Sequence, residues 1–515
     1  MRDLPALART AYPDSVLGRL AALFRTSWQT SMLRALFVWL LTRPYPYLSS
    51  NAHRALQRFN LRLAGNEQVQ TAIDNSRLKR IWASICRVGR ESRLLGAIFS
   101  EGFTGVLILL LALYTPIDYL LRDVFSIPVV SSGWDEGLLL LGLIWILFTR
   151  VKDRPALEPA DSPLDLPVAS FLAICIALFV IRMRLIQINI AGLRATAQYI
   201  LWFFLATRLV RNDRQLRILY GVMVAVAAVI ALHGIYQFIV AAPIPEHWVD
   251  HAEEAVRTRV YSIFGSPNIM GDFMVMFAPL SAALAYYLKR PIMKLLCWGV
   301  TGLMCLSCLF TMSRGAWISM VVAIVVFSLL VDRRLIALMI GAFALALFVP
   351  FVQHRLGYML TPEYAESIAR AGRPVRWAKA MHYLEVNSPL FGIGFGMFGG
   401  AVAMQNPVSD WMEYFYTDNY YVKILTENGY IGLISFIIMM AGVVWTGLRG
   451  WFRQRTEAHA PLCAGMLASL CGVLMHCYYE NIFEEPYMGV CFWTIAAMMM
   501  YLGFIRERLK PIRTP

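Results

Sequence analysis

The chain has 515 residues, of which 58% are hydrophobic and only 16% are charged, and its mean hydropathy is +0.56. A soluble protein usually carries about 25% charged residues, so this composition excludes an ordinary soluble enzyme. Runs of about 20 apolar residues recur along the chain, and each is long enough to cross a hydrocarbon core of about 30 Å as a helix. The composition predicts an all-α polytopic membrane protein.

The first 93 residues are strongly basic. They contain fifteen Lys or Arg and five Asp or Glu, so they supply +10 of the formal net charge of +14. We expect no removable signal peptide here and interpret the region as cytoplasmic. Its apolar stretch at residues 31–43 is too short to span and is typical of an interfacial segment on anionic lipid. Basic and apolar residues alternate here beside a membrane domain, so nucleic acid is not an expected partner.

About twelve transmembrane helices are predicted, and the second one is short. The spans fall at residues 95–114, 137–149, 167–181, 193–207, 217–240, 268–287, 293–311, 315–331, 334–352, 420–446, 461–479 and 487–505. Lys and Arg concentrate in alternate connections, which predicts cytoplasmic N- and C-termini. One outer connection, with Arg182, Arg184 and Arg194, is more basic than this rule predicts.

These spans divide the chain into four predicted parts. They are a basic N-terminal region (1–93), helices one to nine (94–352), a large extracytoplasmic loop (353–419), and helices ten to twelve with a basic tail (420–515). A loop of this length is usually functional, so we expect it to be catalytic.

Arg314 separates two apolar runs in the stretch TMSRGAWISM (311–320). A guanidinium at the edge of hydrocarbon is costly and usually faces a cavity or a partner. One interpretation is an interfacial arginine that reaches lipid headgroups. The other is a cation that binds a phosphate, since the planar guanidinium can donate to two oxygens at once. Ser313 precedes it, and Gly315 would allow a close backbone approach.

A second cation, Arg259, lies shortly before the helix that opens near Pro267 and Asn268. It is a candidate for the same cavity as Arg314. Asp272 lies one turn further into this apolar helix, where a carboxylate is expensive unless it is paired. A helix cap with Asp272 bonded to a neighbour is the simpler interpretation of this stretch.

The long loop contains a predicted helix after Pro374 that carries Arg376, followed by the stretch GIGFGMF (392–398). We reject a nucleotide site for these alternating glycines, because no βαβ unit surrounds them. A tight turn that a sugar or a backbone can approach is more plausible.

Polar residues also stand where the last three spans begin and end. Asp418 and Asn419 close the long loop, and Asp418 is either a helix N-cap or a general base over the cavity. His476 and Glu480 share a helix face, for which a buried hydrogen bond between them is the plain explanation. A zinc site would need a third ligand, and none is evident.

Seven stretches together resemble the O-antigen ligase and polysaccharide polymerase superfamily. They are SPLDLPVASFLAICIALFV (162–180), GIYQF (234–238), FGSPNIMGDF (264–273), TMSRGAWISM (311–320), GIGFGMF (392–398), DNYYVKILTENGYIGL (418–433) and EEPYMGVCFW (484–493). The resemblance covers roughly residues 95–505 and implies about twelve helices with a large extracytoplasmic loop.

The resemblance also implies the reaction. It is an inverting, metal-independent transfer of a glycan from a polyprenyl-diphosphate carrier to an acceptor hydroxyl, without a cofactor, at the outer face of the bacterial inner membrane. Arg314 and Arg259 would hold the diphosphate, Arg376 would close over the donor, and Asp418 would deprotonate or orient the acceptor. Asn268, Ser313, Asn419 and Glu480 are candidate substrate-binding residues. The acceptor would be a glycan or a lipid-linked molecule.

One departure from the family pattern concerns the acceptor. In ligases that attach glycan to the lipid A core, a histidine usually precedes the asparagine of the tenth span, and here Asp418 holds that place. This favours a polymerase or another acceptor. The alternative functions are a transporter or flippase of lipid-linked glycans and a catalytically inactive scaffold.

Overall fold

The computed structural model is mostly helical in the residues that it describes, and it shows no strand among them. These residues are 71, 101–126, 128–152, 162–244, 258–407, 413–507 and 509. The predictions for the basic region 1–93, including the interfacial stretch at 31–43, therefore lie outside the described residues.

Eighteen α-helices occur in the described ranges. In chain order they are α1 (Gly102–Ala112), α2 (Tyr114–Tyr119), α3 (Pro128–Lys152), α4 (Asp165–Ile181), α5 (Ile186–Ala197), α6 (Leu201–Leu209), α7 (Asp213–Ile239), α8 (Pro267–Tyr287), α9 (Pro291–Phe310), α10 (Arg314–Leu330), α11 (Arg334–Ala346), α12 (Pro350–Gly357), α13 (Pro362–Ala371), α14 (Arg373–Asn387), α15 (Ala401–Gln405), α16 (Tyr420–Gln454), α17 (Ala460–His476) and α18 (Pro486–Met500).

Within the described residues, five helical stretches are long and apolar enough to cross a membrane: α7, α8, α9, α16, and α18 with the turn that extends it to Ile505. A sixth arises if α1 and the stretch Tyr114–Val124, which bend by 68° at their junction, form one span. Shorter apolar helices are α4, α10, α11 and α17. The chain is therefore a multi-pass helical membrane protein, as predicted. The number of twelve spans and the sidedness of the termini stay predictions.

Two predicted elements differ in detail from the structure. The span expected at 334–352 stops as a helix at Ala346, and α12 begins at Pro350. The large loop after it is mostly helical, since it contains α13, α14 and the short α15. Proline explains the starts of α12, α13 and α14, because its fixed φ suits the first turn of a helix and its ring disfavours the interior.

Helix α17 packs closely between α8 and α10. A Cβ on Gly472 would lie 2.6 Å from Val275 Cγ1 and 2.9 Å from Ala323 Cβ, and one on Gly465 would lie 2.5 Å from Ala283 Cβ. Small residues allow this approach, as is common between membrane helices. The packing brings together the first turns of α8 and α10 and the last turn of α17, and we call this place the site end.

Helix α16 is interrupted at Gly429, whose backbone has φ 66° and ψ −172°. A glycine-rich loop (residues 389–400) fills the break, because its backbone bonds the freed groups of the helix. Ile393 N donates to Thr426 O at 3.0 Å, and Gly394 N donates to Glu427 O at 2.9 Å. The alternating glycines thus form the predicted tight turn, and what approaches them is the backbone of α16.

Candidate active site

Two hydrogen bonds one turn apart join α8 to the end of α17. Asn268 Nδ2 donates to Glu480 Oε2 at 2.7 Å, and a 2.9 Å bond joins His476 Nδ1 to Asp272 Oδ1. His476, Glu480 and Asp272 are buried. The expected bond between His476 and Glu480 is therefore wrong: the two share a face, but each bonds across to α8. Asp272 is paired with a neighbour, as expected.

Arg259 extends this ladder toward α9. Its Nη2 donates to Asn268 Oδ1 at 3.3 Å, and its Nε donates to Thr311 O at 3.1 Å. One amide side chain therefore connects the Arg259 guanidinium with the Glu480 carboxylate.

Arg314 is the first residue of α10, and Ser313 caps this helix by accepting from Ala316 N at 3.5 Å. The Arg314 guanidinium carbon lies 4.9 Å from the ring centre of Tyr364, a cation–π contact with α13. Within the described part of the chain, its Nη1 is buried without a hydrogen-bond partner. A buried donor that forms no hydrogen bond costs free energy unless a ligand accepts a hydrogen bond from it.

Gly315 places Arg314 against the end of α17. A Cβ here would lie 2.8 Å from Tyr479 Cβ and 3.1 Å from His476 Nε2, so a larger residue would push the helices apart. The need for a small residue at this position, expected from the sequence, has a packing cause.

Helix α14 carries two arginines to Asp418. Arg376 Nη1 lies 2.8 Å from Asp418 Oδ2, and Arg373 Nε lies 3.8 Å from the same oxygen. Arg376 also donates to Tyr416 O at 2.9 Å, and Arg373 Nη2 donates to Tyr479 O at 2.9 Å. The helix predicted after Pro374 is thus joined to the chain before α16 and to the end of α17. Arg373 was missed, although its spacing of three residues from Arg376 places both on one helix face.

Asp418 does not cap α16. Its neighbour Asn419 does, because Asn419 Oδ1 accepts from Tyr421 N at 3.0 Å and from Val422 N at 3.1 Å. The capping role considered for Asp418 is therefore wrong. Asp418 has φ 46°, in the left-handed region that non-glycine residues seldom adopt, and such strain often accompanies functional sites.

The carboxyl groups of the connection between α17 and α18 are protonated more readily than usual. Burial raises the pKa of Glu480, and the charge of Asp418 raises it further, against the bonds from Asn268 and Asn481 N and the nearby His476. Burial also raises the pKa of Glu485, to about 7. Glu485 is therefore able to exchange a proton near neutral pH.

A buried ion-pair triad beside Asp418 was not predicted. Lys423 Nζ lies 2.7 Å from Glu427 Oε2 and 3.5 Å from Glu484 Oε1. Glu484 accepts from Ala401 N at 3.3 Å, so the triad connects α16 with the chain after the glycine-rich loop and with the α17–α18 connection. Lys and Glu four residues apart in an apolar span were the available signal.

The candidate residues therefore converge on one place. Arg259 and Asn268 reach Glu480. Ser313 and Arg314 directly precede Gly315, which packs against Tyr479. Arg376 forms an ion pair with Asp418. Among the described residues, no group of three His, Cys, Asp or Glu side chains could hold a metal ion. What the arrangement offers is several guanidiniums and two carboxylates at the end of an apolar bundle, a setting for an anionic, membrane-bound substrate.

Fold and site together define a multi-pass helical membrane protein with a cationic, carboxylate-bearing site at one end of its bundle. Residues 299–437 match the family model described as O-antigen ligase, and this stretch contains Arg314, Arg376 and Asp418. The match places this part of the chain in the O-antigen ligase and polysaccharide polymerase superfamily and confirms the resemblance. It indicates glycan transfer in polysaccharide synthesis, with lipid-linked glycans as substrates. No curated protein matches the chain.

Proposed function

We propose that the protein transfers a glycan from a polyprenyl-diphosphate carrier to an acceptor hydroxyl, at the outer face of the bacterial inner membrane. The observation that carries the proposal is the convergence of arginines from separate elements on the Tyr479–Glu480 segment. Arg373 donates to Tyr479 O, and Arg259 reaches Glu480 through Asn268. Arg314 starts α10 next to Gly315, which packs against Tyr479.

These arginines suit a diphosphate leaving group. Its negative charge grows as the glycosidic bond breaks, so cations fixed beforehand stabilise the transition state more than the bound donor. Arg314 Nη1, which lacks a hydrogen-bond partner among the described residues, is positioned to donate to a phosphate oxygen. The surrounding apolar helices would hold the prenyl chain.

The acceptor hydroxyl attacks the anomeric carbon from the face opposite the leaving diphosphate, so the configuration inverts. Asp418 deprotonates or orients this hydroxyl, in accordance with its place between α14 and α16. The ion pair with Arg376 holds the α14 helix over the site. Arginines supply the charge stabilisation, and the proposed reaction is metal-independent. Asp418 stands where ligases acting on the lipid A core usually have a histidine. This difference favours a polymerase or an acceptor other than the lipid A core.

A matched pair of arginine variants tests the proposal. Arg314 and Arg290 each stand at the start of an apolar helix, but Arg290 is exposed and lies at the start of α9, away from the site end. In vesicles containing a polyprenyl-diphosphate-linked glycan, Arg314→Ala should reduce transfer by about 10²–10³-fold, as removal of an oxyanion donor does. Arg290→Ala should leave it unchanged. Mass spectrometry of the products measures both and identifies the acceptor.

Two results would contradict the proposal. Equal activity of Arg314→Ala and the wild type would remove the arginine from the site, and reporter fusions that place Arg314 on the cytoplasmic side would remove the site from the outer face. Absence of any transfer by the wild type with every lipid-linked glycan tested would favour an inactive scaffold.

One observation favours the transporter alternative. Interrupted membrane helices are common in transporters, and α16 is interrupted at Gly429. The break is filled by the chain's own glycine-rich loop, which bonds the freed backbone groups. Movement of labelled lipid-linked glycan across vesicle bilayers without new glycosidic bonds would support transport, and bond formation without movement would support transfer.

A further inference from the structure

The two carboxylates of the site end stand in contrasting surroundings. Asp418 forms ion pairs with Arg376 at 2.8 Å and Arg373 at 3.8 Å. Among the described residues, Glu480 has no such ion pair: its oxygens accept from the neutral amide of Asn268 at 2.7 Å and from Asn481 N at 3.1 Å. Guanidiniums stabilise the ionised form of a carboxyl and so weaken it as a base, whereas a buried carboxylate held by neutral donors stays basic.

From this contrast we infer that Glu480, and not Asp418, accepts the proton of the acceptor hydroxyl. The inference rests on the proposed function. In the step, the acceptor oxygen forms a bond to the anomeric carbon, and the bond from that carbon to the carrier's phosphate oxygen breaks. The electron pair of the broken bond stays on the diphosphate, and the hydroxyl proton passes to a Glu480 oxygen.

The position of Glu480 fits this role. Glu480 is only 7% exposed, so it lies inside the site end, where little water is present to weaken its basicity. Each of its oxygens keeps a second lone pair beyond the one bond described above. The side-chain amide of Asn268 bonds both Glu480 and Arg259. It therefore holds the proposed proton acceptor, Glu480, together with a cation that would bind the phosphate, Arg259.

Asp418 then acts as a positioning residue. Its contacts with Arg376 and Arg373 hold α14 over the site, and its negative charge adds to burial in raising the pKa of Glu480. A base is most effective when its pKa approaches the working pH, so this neighbour strengthens Glu480. Among the described residues, the other titratable groups near Glu480 include His476 one turn below, Glu485 in the same connection, Arg259 beyond Asn268, and Arg373 at the adjoining Tyr479 carbonyl.

The pH profile of transfer separates the two carboxylates. In the full-length protein in vesicles, kcat of the wild type should fall on the acidic side as Glu480 is protonated. This fall should occur at a higher pH than the titration of an ordinary carboxyl. Glu480→Gln should lower kcat by about 10²–10⁴-fold and abolish this acidic limb, and Glu480→Asp should restore part of both. Asp418→Asn should keep the limb, shifted to lower pH because the repelling charge is gone.

Binding of a polyprenyl-diphosphate lipid without a glycan shows whether each variant is folded. Glu480→Gln should bind it as the wild type does, because the glutamine side chain has the same size and can still accept from Asn268. A Glu480→Gln protein that keeps the wild-type kcat and acidic limb would overturn the inference, as would an Asp418→Asn protein that alone loses the limb. Failure of the wild type to transfer at all would instead contradict the proposed function.

Discussion

Replacing Gly429 by alanine should destabilise the protein by about 3–5 kcal/mol. The residue has φ 66° and ψ −172°, a conformation nearly confined to glycine, and forcing another residue into it costs about 1–3 kcal/mol. The added Cβ would also overlap backbone atoms of Leu390 and lie 2.5 Å from Phe391 N. Backbone cannot rotate away as a side chain can, so the glycine-rich loop must move.

Moving the loop breaks hydrogen bonds that fill the interruption. Tyr430 N donates to Pro389 O at 2.9 Å and Ile431 N donates to Leu390 O at 3.3 Å, and each such bond contributes about 1 kcal/mol. Strain and the two lost bonds together give the stated range. We expect transfer to fall as well, because Glu427 of the buried triad lies two residues before the break.

Gly442 is the matched control in the same helix. A Cβ at this position would meet Pro167 Cβ at 3.5 Å, an ordinary van der Waals contact. Alanine in a regular helix is more favourable than glycine by about 0.5–1 kcal/mol, so Gly442→Ala should be neutral or stabilising. The assay is thermal unfolding in detergent micelles, monitored by tryptophan fluorescence. Equal unfolding temperatures for the two variants would refute the reasoning.

Three further predictions concern the same end of the bundle. Lys423→Met leaves two buried carboxylates without their cation and should cost about 3–5 kcal/mol, measured by chemical unfolding; a value near zero would show that the triad is solvated. Gly315→Ala should lower the unfolding temperature through its clash with Tyr479, while Gly302→Ala, where a Cβ meets nothing within 4 Å, should not; similar values would contradict the packing argument. The raised pKa of Glu485, about 7 against an ordinary 4.5, means that its stabilising contribution is complete below about pH 4.5 and is lost as the pH rises through 7. Glu485→Gln should remove this pH dependence, which amounts to at most about 3 kcal/mol of the free energy of unfolding. An unchanged pH profile of unfolding would assign the dependence to another group.

The all-helical class and the starts of some helices could be predicted from the sequence, because apolar length and proline placement are local properties. The helix after Pro374 and the one that opens at Pro267 begin where expected, since the first turn of a helix accepts proline. Partner choice depends on packing between distant segments, which a single sequence does not contain. His476 and Glu480 share a face, but their bonds to α8 follow from the small residues that draw α17 against it.

The site shows the same division between local and distant information. Arg259, Arg314 and Asp418 were selected because polar groups beside hydrocarbon need a reason to be there. Their connections could not be read in the same way, because Asn268 joins Arg259 to a residue more than 200 positions away. Asn419, and not Asp418, caps the helix, because the left-handed backbone of Asp418 turns the chain two residues before the helix starts at Tyr420.

The ladder uses the same four-residue step twice, from Asn268 to Asp272 in α8 and from His476 at the end of α17 to Glu480 in the turn that follows. An inserted or deleted residue between Asn268 and Asp272 would rotate one contact of the pair by about 100° relative to the other. A length change between His476 and Glu480 would move Glu480 relative to His476 in the turn. Neither helix could then satisfy both partners, however well its apolar face still packed. Natural variants of this protein should therefore tolerate substitutions around the ladder far more readily than changes in the length of either segment.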